Sequence, residues 1–113
     1  MPPADPRKYV RYQVTFAVEL STGGSLQSCE GEDIGAGGCR AVVLFPLQPG
    51  QAVRLRLRSE RTPLEVSGQA TVAWASRDPP YRVGLQFSAP LSEQAVGFIH
   101  GMLGPVRLVT ASG

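Results

Sequence analysis

The sequence predicts an all-β domain closed by a single C-terminal helix, and three observations carry that reading. Six short segments read as strands, most of them by alternating apolar and polar residues at a period of two. Turns containing Gly or Pro part these segments at short, even spacing. Only after Ser92 does the apolar repeat lengthen to threes and fours, the period of a helix. Strands this short and regular belong to a closed antiparallel barrel or to a sandwich. With 113 residues the chain has room for one domain whose core needs neither metal nor disulfide.

Residues 1–11 contain Pro2, Pro3 and Pro6 and read as a flexible N-terminal arm. From Tyr12 to Leu20, Tyr12, Val14, Phe16, Val18 and Leu20 face one way and Gln13, Thr15, Ala17 and Glu19 the other, the pattern of a half-buried strand. Ser21-Thr22-Gly23-Gly24 reverses the chain into a second strand, Leu26 to Ile34, and Cys39 to Phe45 forms a third, more uniformly apolar one. After Gln48-Pro49-Gly50, Val53, Leu55 and Leu57 alternate with Arg54, Arg56 and Arg58, so the fourth strand carries an arginine ladder on its outer face. Residues 64–75 are the fifth strand, with Val66, Gly68, Ala70, Val72 and Trp74 on the apolar side; Tyr81 to Phe87 is the sixth, with Val83, Leu85 and Phe87 inward. Ser92 then caps a helix whose stripe of Ala95, Val96, Ile99, Met102 and Leu103 lies against the barrel. Gly97 and Gly101 each weaken that helix by ~1 kcal/mol relative to alanine, so packing must hold it. The domain therefore runs from 12 to 104, and 105–113 is a tail or a short added strand.

Composition excludes several function classes. A formal charge of +2 is too small to attract nucleic acid in bulk, so any anion site must be local. No apolar run approaches the ~18 residues of a membrane span, and Met1–Pro6 has no apolar signal-peptide core, which predicts a cytoplasmic protein without membrane insertion. Cys29 and Cys39 read as reduced thiols; a register centred on Ala36 puts Cys29 opposite Val43 and Cys39 opposite Asp33, so they do not face each other. One histidine and no C-x-x-C pair leave no zinc site. His100 has no nucleophile at a motif-like spacing, so no enzyme is expected.

The stretch Glu30-Gly31-Glu32-Asp33-Ile34-Gly35-Ala36-Gly37-Gly38-Cys39 sets a carboxylate before a turn made mostly of glycine. Glycine tolerates positive φ and admits a ligand close to the backbone, so a tight, ligand-hugging reversal is predicted with Asp33 at its rim. An acidic residue before glycines is also an ordinary turn, its side chain bonded to nearby amides. The second element is Arg7-Lys8-Tyr9-Val10-Arg11 in the arm, which alone reads equally as a solvated basic tail. Two further features stay open at this level. The arginine ladder serves either as a polar guard against edge pairing or as a docking surface, and Trp74 either fills the interior or offers a stacking platform.

Taken together and in order, these elements resemble the PilZ domain, a small bacterial β-barrel module known as a receptor for cyclic di-GMP. Its Arg-x-x-x-Arg pattern is matched by Arg7 and Arg11, and its Asp/Asn-x-Ser-x-x-Gly pattern by Asp33 and Gly38, with Gly35 in the place of the serine. Gly84-Leu85-Gln86-Phe87 is similar to the family's Gly-x-x-Phe sixth strand. The resemblance implies a six-stranded antiparallel β-barrel and a cyclic di-GMP site formed by Arg7, Lys8, Arg11, Asp33, Gly35 and Gly38. In that site Arg7 and Arg11 suit the phosphates and the guanine O6/N7 edge, and Asp33 the N1/N2 edge. Two functions are expected from it: a single-domain receptor that relays cyclic di-GMP to an effector protein in motility, pilus or polysaccharide control, or an adaptor that keeps the fold with weak or no nucleotide binding. The missing hydroxyl at Gly35 favours the second, since it removes a hydrogen bond worth about 0.5–1.5 kcal/mol of ligand affinity, while the retained Arg7, Arg11 and Asp33 favour the first.

Overall fold

A computed structural model describes residues 11–60 and 62–103. Its order is β1 (Phe16–Thr22), β2 (Ser25–Ile34), β3 (Gly38–Val43), β4 (Ala52–Arg58), β5 (Glu65–Ala75), β6 (Tyr81–Phe87) and α1 (Ala89–Leu103). The strands close into an antiparallel barrel in the order β1-β2-β3-β6-β5-β4, with β4 returning to pair with β1. The period-two pattern decides which side chains line it: Phe16, Val18, Leu20, Val53, Leu55, Leu57, Val83 and Leu85 are buried. At the first hairpin Gly23 and Gly24 both take positive φ, as a two-residue connection between twisted strands requires.

Three local expectations change. The first strand begins at Phe16 rather than Tyr12; Tyr12 keeps a lone bridge to Ile34, with N–H donated each way at 2.8 and 3.0 Å. The helix begins three residues before Ser92. Ser88 is its cap, with Oγ accepting the Leu91 N–H at 3.4 Å, while Ser92 lies within the first turns. Its buried face is Leu91, Ala95, Phe98 and Ile99, and Val96 points outward. Phe98 meets Phe16 edge-on at 6.2 Å, and Leu91 lies where a side chain at Gly68 would have to go. The ladder guards no edge, because closure leaves β4 none. Arg56 and Arg58 instead share Glu19 and Glu65 across both neighbouring strands at 3.3–3.9 Å.

Cys29 and Cys39 are free thiols, the first half-buried and the second buried. Burial pushes Cys29 up to about 11 and Cys39 up to about 12. Among the described residues no helix is long and apolar enough to cross a membrane.

The two helical glycines separate in a melting experiment. Nothing stands near a side chain added at Gly97, so Gly97→Ala should stabilise the fold by about 0.5–1 kcal/mol and raise Tm. Gly101→Ala pushes on Leu64 and should return less or none of that gain. For Cys39, the unfolded thiol titrates near 9 and the folded one near 12. Between those values the unfolded chain releases a proton that the folded chain keeps. Stability then falls as pH rises, by up to about 1.4 kcal/mol per pH unit for this group. Urea midpoints at pH 8 to 10 should show a shallower fall in Cys39→Ala than in the wild type.

Candidate functional site

Two β-bulges build the site. On β2, Gly31 pairs with Ala41 but Asp33 with Arg40, so Glu32 is an extra residue in the ladder. On β5, Val72 pairs with Leu85 but Trp74 with Gly84, so Ala73 is another. Each insertion flips the phase of the residues beyond it. After the first, Ile34 takes the inward place and Asp33 turns to the outer face; after the second, Ala75 packs on the core and Trp74 turns outward, 45% exposed. Trp74 is thus not a filler of the barrel interior. Cys39 pairs with Ile34, not with Asp33, for the same reason.

Between the bulges, β3 and β6 stay in unbroken register, with Arg40 opposite Gly84. The outcome is one row across four strands on the outer face: Asp33, Arg40, Gly84, Trp74. Gly84 is required there, because a Cβ would collide with the indole of Trp74. A Cβ at Gly38, near the start of β3, would collide with the Leu85 carbonyl of β6, so this glycine serves close strand approach. The 35–38 turn is tight without positive φ; among the described residues that conformation belongs to Gly23, Gly24 and Gly50. Gly35 is buried and donates its N–H to the Gly38 carbonyl at 2.8 Å, and Ser92 of the helix donates to the Ala36 carbonyl.

Charges gather around the row. The Tyr12–Ile34 bridge sets Arg11 beside the end of β2, where its guanidinium pairs with Asp33 Oδ1. Arg11 is 48% exposed and Asp33 only 11%. Arg82 Nε donates to both oxygens of Glu32 at 3.0 and 3.3 Å. Arg40 Nε lies 3.2 Å from Glu32 Oε1 and 3.6 Å from Asp33 Oδ2; it is sealed from solvent and completes a hydrogen bond to neither. Beside the row runs an open groove of about 650 Å³, lined by Arg11, Gly38, Trp74, Gly84, Gln86 and Ser92 among others. That volume falls in the range of small-molecule sites, roughly 300–1,000 Å³.

Of the six residues the sequence singled out, the structure pairs Arg11 with Asp33 and Gly35 with Gly38, only Arg11 and Gly38 of these line the groove, and Arg7 and Lys8 lie outside the described residues. It adds Glu32, Arg40, Arg82 and Trp74. For Arg40 a signal existed, a charge in an otherwise apolar strand; Trp74 was open as a stacking platform, but its outward turn had no signal, since nothing in the period-two pattern marks Ala73 as an insertion. Among the described residues no group of three or more His, Cys, Asp or Glu could hold a metal ion.

The fit of indole over glycine is testable by intrinsic fluorescence, since Trp74 is the only tryptophan. Gly84→Ala should displace the ring, shift its emission and cost about 1–3 kcal/mol. Gly38→Ala, whose obstacle is backbone, should cost more while leaving the emission of the folded chain nearly unchanged.

Comparison with known proteins agrees with this architecture. The MotI (DgrA) inhibitor of motility from Bacillus subtilis superposes with a TM-score of 0.67 at 22% identity, over 91% of this chain and 57% of that one. YcgR from Escherichia coli in complex with cyclic di-GMP gives 0.69 at 16% identity, over 94% and 50%. The isolated PilZ domain of YcgR with cyclic di-GMP gives 0.70 at 15% identity, over 96% and 100%. This chain therefore spans little more than half of MotI and half of the longer YcgR chain, and identities this low establish a shared fold. No curated protein matches it. The family model described as PilZ domain matches residues 5–103, nearly all of the sequence and the whole barrel, and the chain belongs to that family.

Proposed function

We propose that this domain is a receptor for cyclic di-GMP and passes the signal to a protein partner without catalysing a reaction. The observation that carries this reading is the outer row of Asp33, Arg40, Gly84 and Trp74 beside a groove that Arg11 lines. Cyclic di-GMP offers two phosphates and two guanines, and each part of the site answers one of those features. Arg11 has about half its side chain free to pair with phosphate or with a guanine O6/N7 edge. Trp74 lies over Gly84 and offers a ring on which a base can stack, worth about 1–3 kcal/mol. Asp33 accepts from guanine N1 and N2 once Arg11 turns to the ligand. Arg7 and Lys8 add positive charge from the arm, and Gly35 and Gly38 keep the turn tight beneath the ligand. Support comes also from the two YcgR structures, whose protein carries this nucleotide. The neighbour described as an inhibitor of motility makes motility the first process to examine, in the cytoplasm.

One observation favours the adaptor reading: the Asp33 carboxylate is already engaged by Arg11, and Gly35 offers no hydroxyl. Titration calorimetry with cyclic di-GMP, followed in parallel by Trp74 fluorescence, decides between the two. The receptor reading expects saturable heat with a change in emission. It also expects Arg11→Ala and Trp74→Ala each to weaken binding by roughly tenfold or more. Gly35→Ser should bind equally well or up to about tenfold tighter. Absence of heat at high micromolar nucleotide would leave the adaptor.

A further inference from the structure

The receptor reading gives Arg40 no task, although it stands in the middle of the row. Its guanidinium is the element between two carboxylates: Nε is 3.2 Å from Glu32 Oε1 and 3.6 Å from Asp33 Oδ2, and bonds properly to neither. Glu32 does not depend on it, since Arg82 already donates to both Glu32 oxygens. Asp33 is different. It is mostly enclosed, and Arg11 on Oδ1 is its principal partner.

When Arg11 turns to an anionic ligand, a carboxylate largely removed from water loses its principal partner, an unfavourable arrangement if nothing replaces it. Arg40 is the cation in reach. Moving its Nε less than one ångström closes the 3.6 Å gap to Oδ2, and the enclosed N–H gains the acceptor that it lacks. We infer that Arg40 is a positioning residue that takes over Asp33 Oδ2 when Arg11 leaves, holding Oδ1 toward the space Arg11 vacates. The exchange needs no backbone motion, because Asp33 and Arg40 are already register partners on neighbouring strands. It rests on the receptor reading for its ligand, but the exchange itself requires only that Arg11 go.

That difference supplies the test. In the full chain, the Arg40 Nε–Hε resonance is followed by NMR in wild type, in Arg11→Ala and in Arg11→Ala combined with Asp33→Asn. The inference expects Arg11→Ala to move the resonance downfield and to slow its exchange with water by roughly tenfold, the mark of a new charge-assisted hydrogen bond. The added Asp33→Asn should undo most of the shift. A resonance unchanged by Arg11→Ala overturns the inference. With nucleotide, cyclic di-GMP added to wild type should reproduce the shift. Arg40→Met should weaken binding by roughly tenfold, and Arg40→Lys, which keeps the charge and guards against a mere packing defect, should restore most of it. Wild-type affinity in Arg40→Met likewise overturns the inference. A chain that binds no nucleotide but shows the Arg11→Ala shift retires the receptor reading and leaves the exchange standing.

Discussion

The outer row depends on two single-residue insertions, Glu32 in β2 and Ala73 in β5. Without the first, Asp33 would share the inward face of Gly31, whose own missing side chain leaves room only for the ring of Phe16. A lone carboxylate there would cost several kcal/mol, more than a local break in one ladder. Without the second, the indole of Trp74 would enter the barrel in place of Ala75, among side chains that already fill it. The bulges flank a β3–β6 pair of unbroken register, so the two re-aimed side chains fall in line with Arg40 and Gly84 rather than on separate parts of the surface. Placement of the site is thus a property of the ladder as a whole.

Two arginine groups of different character result. On β4, Arg56 and Arg58 share Glu19 and Glu65, all roughly half-exposed except Glu19, and such pairs contribute about 0–1 kcal/mol each. They are balanced, two charges against two. Around the row, Arg11, Arg40 and Arg82 face Glu32 and Asp33, which leaves one positive charge in excess beside the groove. The whole chain carries only +2, so attraction for an anion is concentrated where the sheet places these three side chains.

The fold is largely legible in the sequence because its strands obey a simple period and its turns carry the residues that turns require. Val53, Leu55 and Leu57 against Arg54, Arg56 and Arg58 admit one reading, and the structure follows it. Departures occur where that period breaks. Trp74 belongs to an apolar alternation that is continuous on paper from Val66, and the bulge at Ala73 leaves no trace in residue type; only the pairing partner, Gly84 with its absent side chain, makes room for an outward indole. The Asp33–Arg40 pair is hidden in the same way, since a register without the bulge sets Asp33 opposite Cys39. The helix start is ambiguous in the sequence because Ser88 and Ser92 are equally good caps locally, and only the barrel decides that Leu91 must be buried.

The glycine at position 35 carries less weight against nucleotide binding than its place in the motif suggests. A serine hydroxyl lost there removes about 0.5–1.5 kcal/mol, whereas one stacked base returns about 1–3 and a bond from a guanidinium to phosphate about 1.5–3. What the ligand must overcome is the Arg11–Asp33 pair. That pair is half-exposed on the arginine side, so its Coulombic gain is screened and small beside what Arg11 gains on a doubly charged ligand. The larger cost of leaving Asp33 alone is the one that Arg40, already within 3.6 Å, is placed to remove. In the proposed exchange, side chains in fixed register trade partners when a ligand draws Arg11 away: the carboxylate keeps a cation throughout, and the strands beneath it need not move.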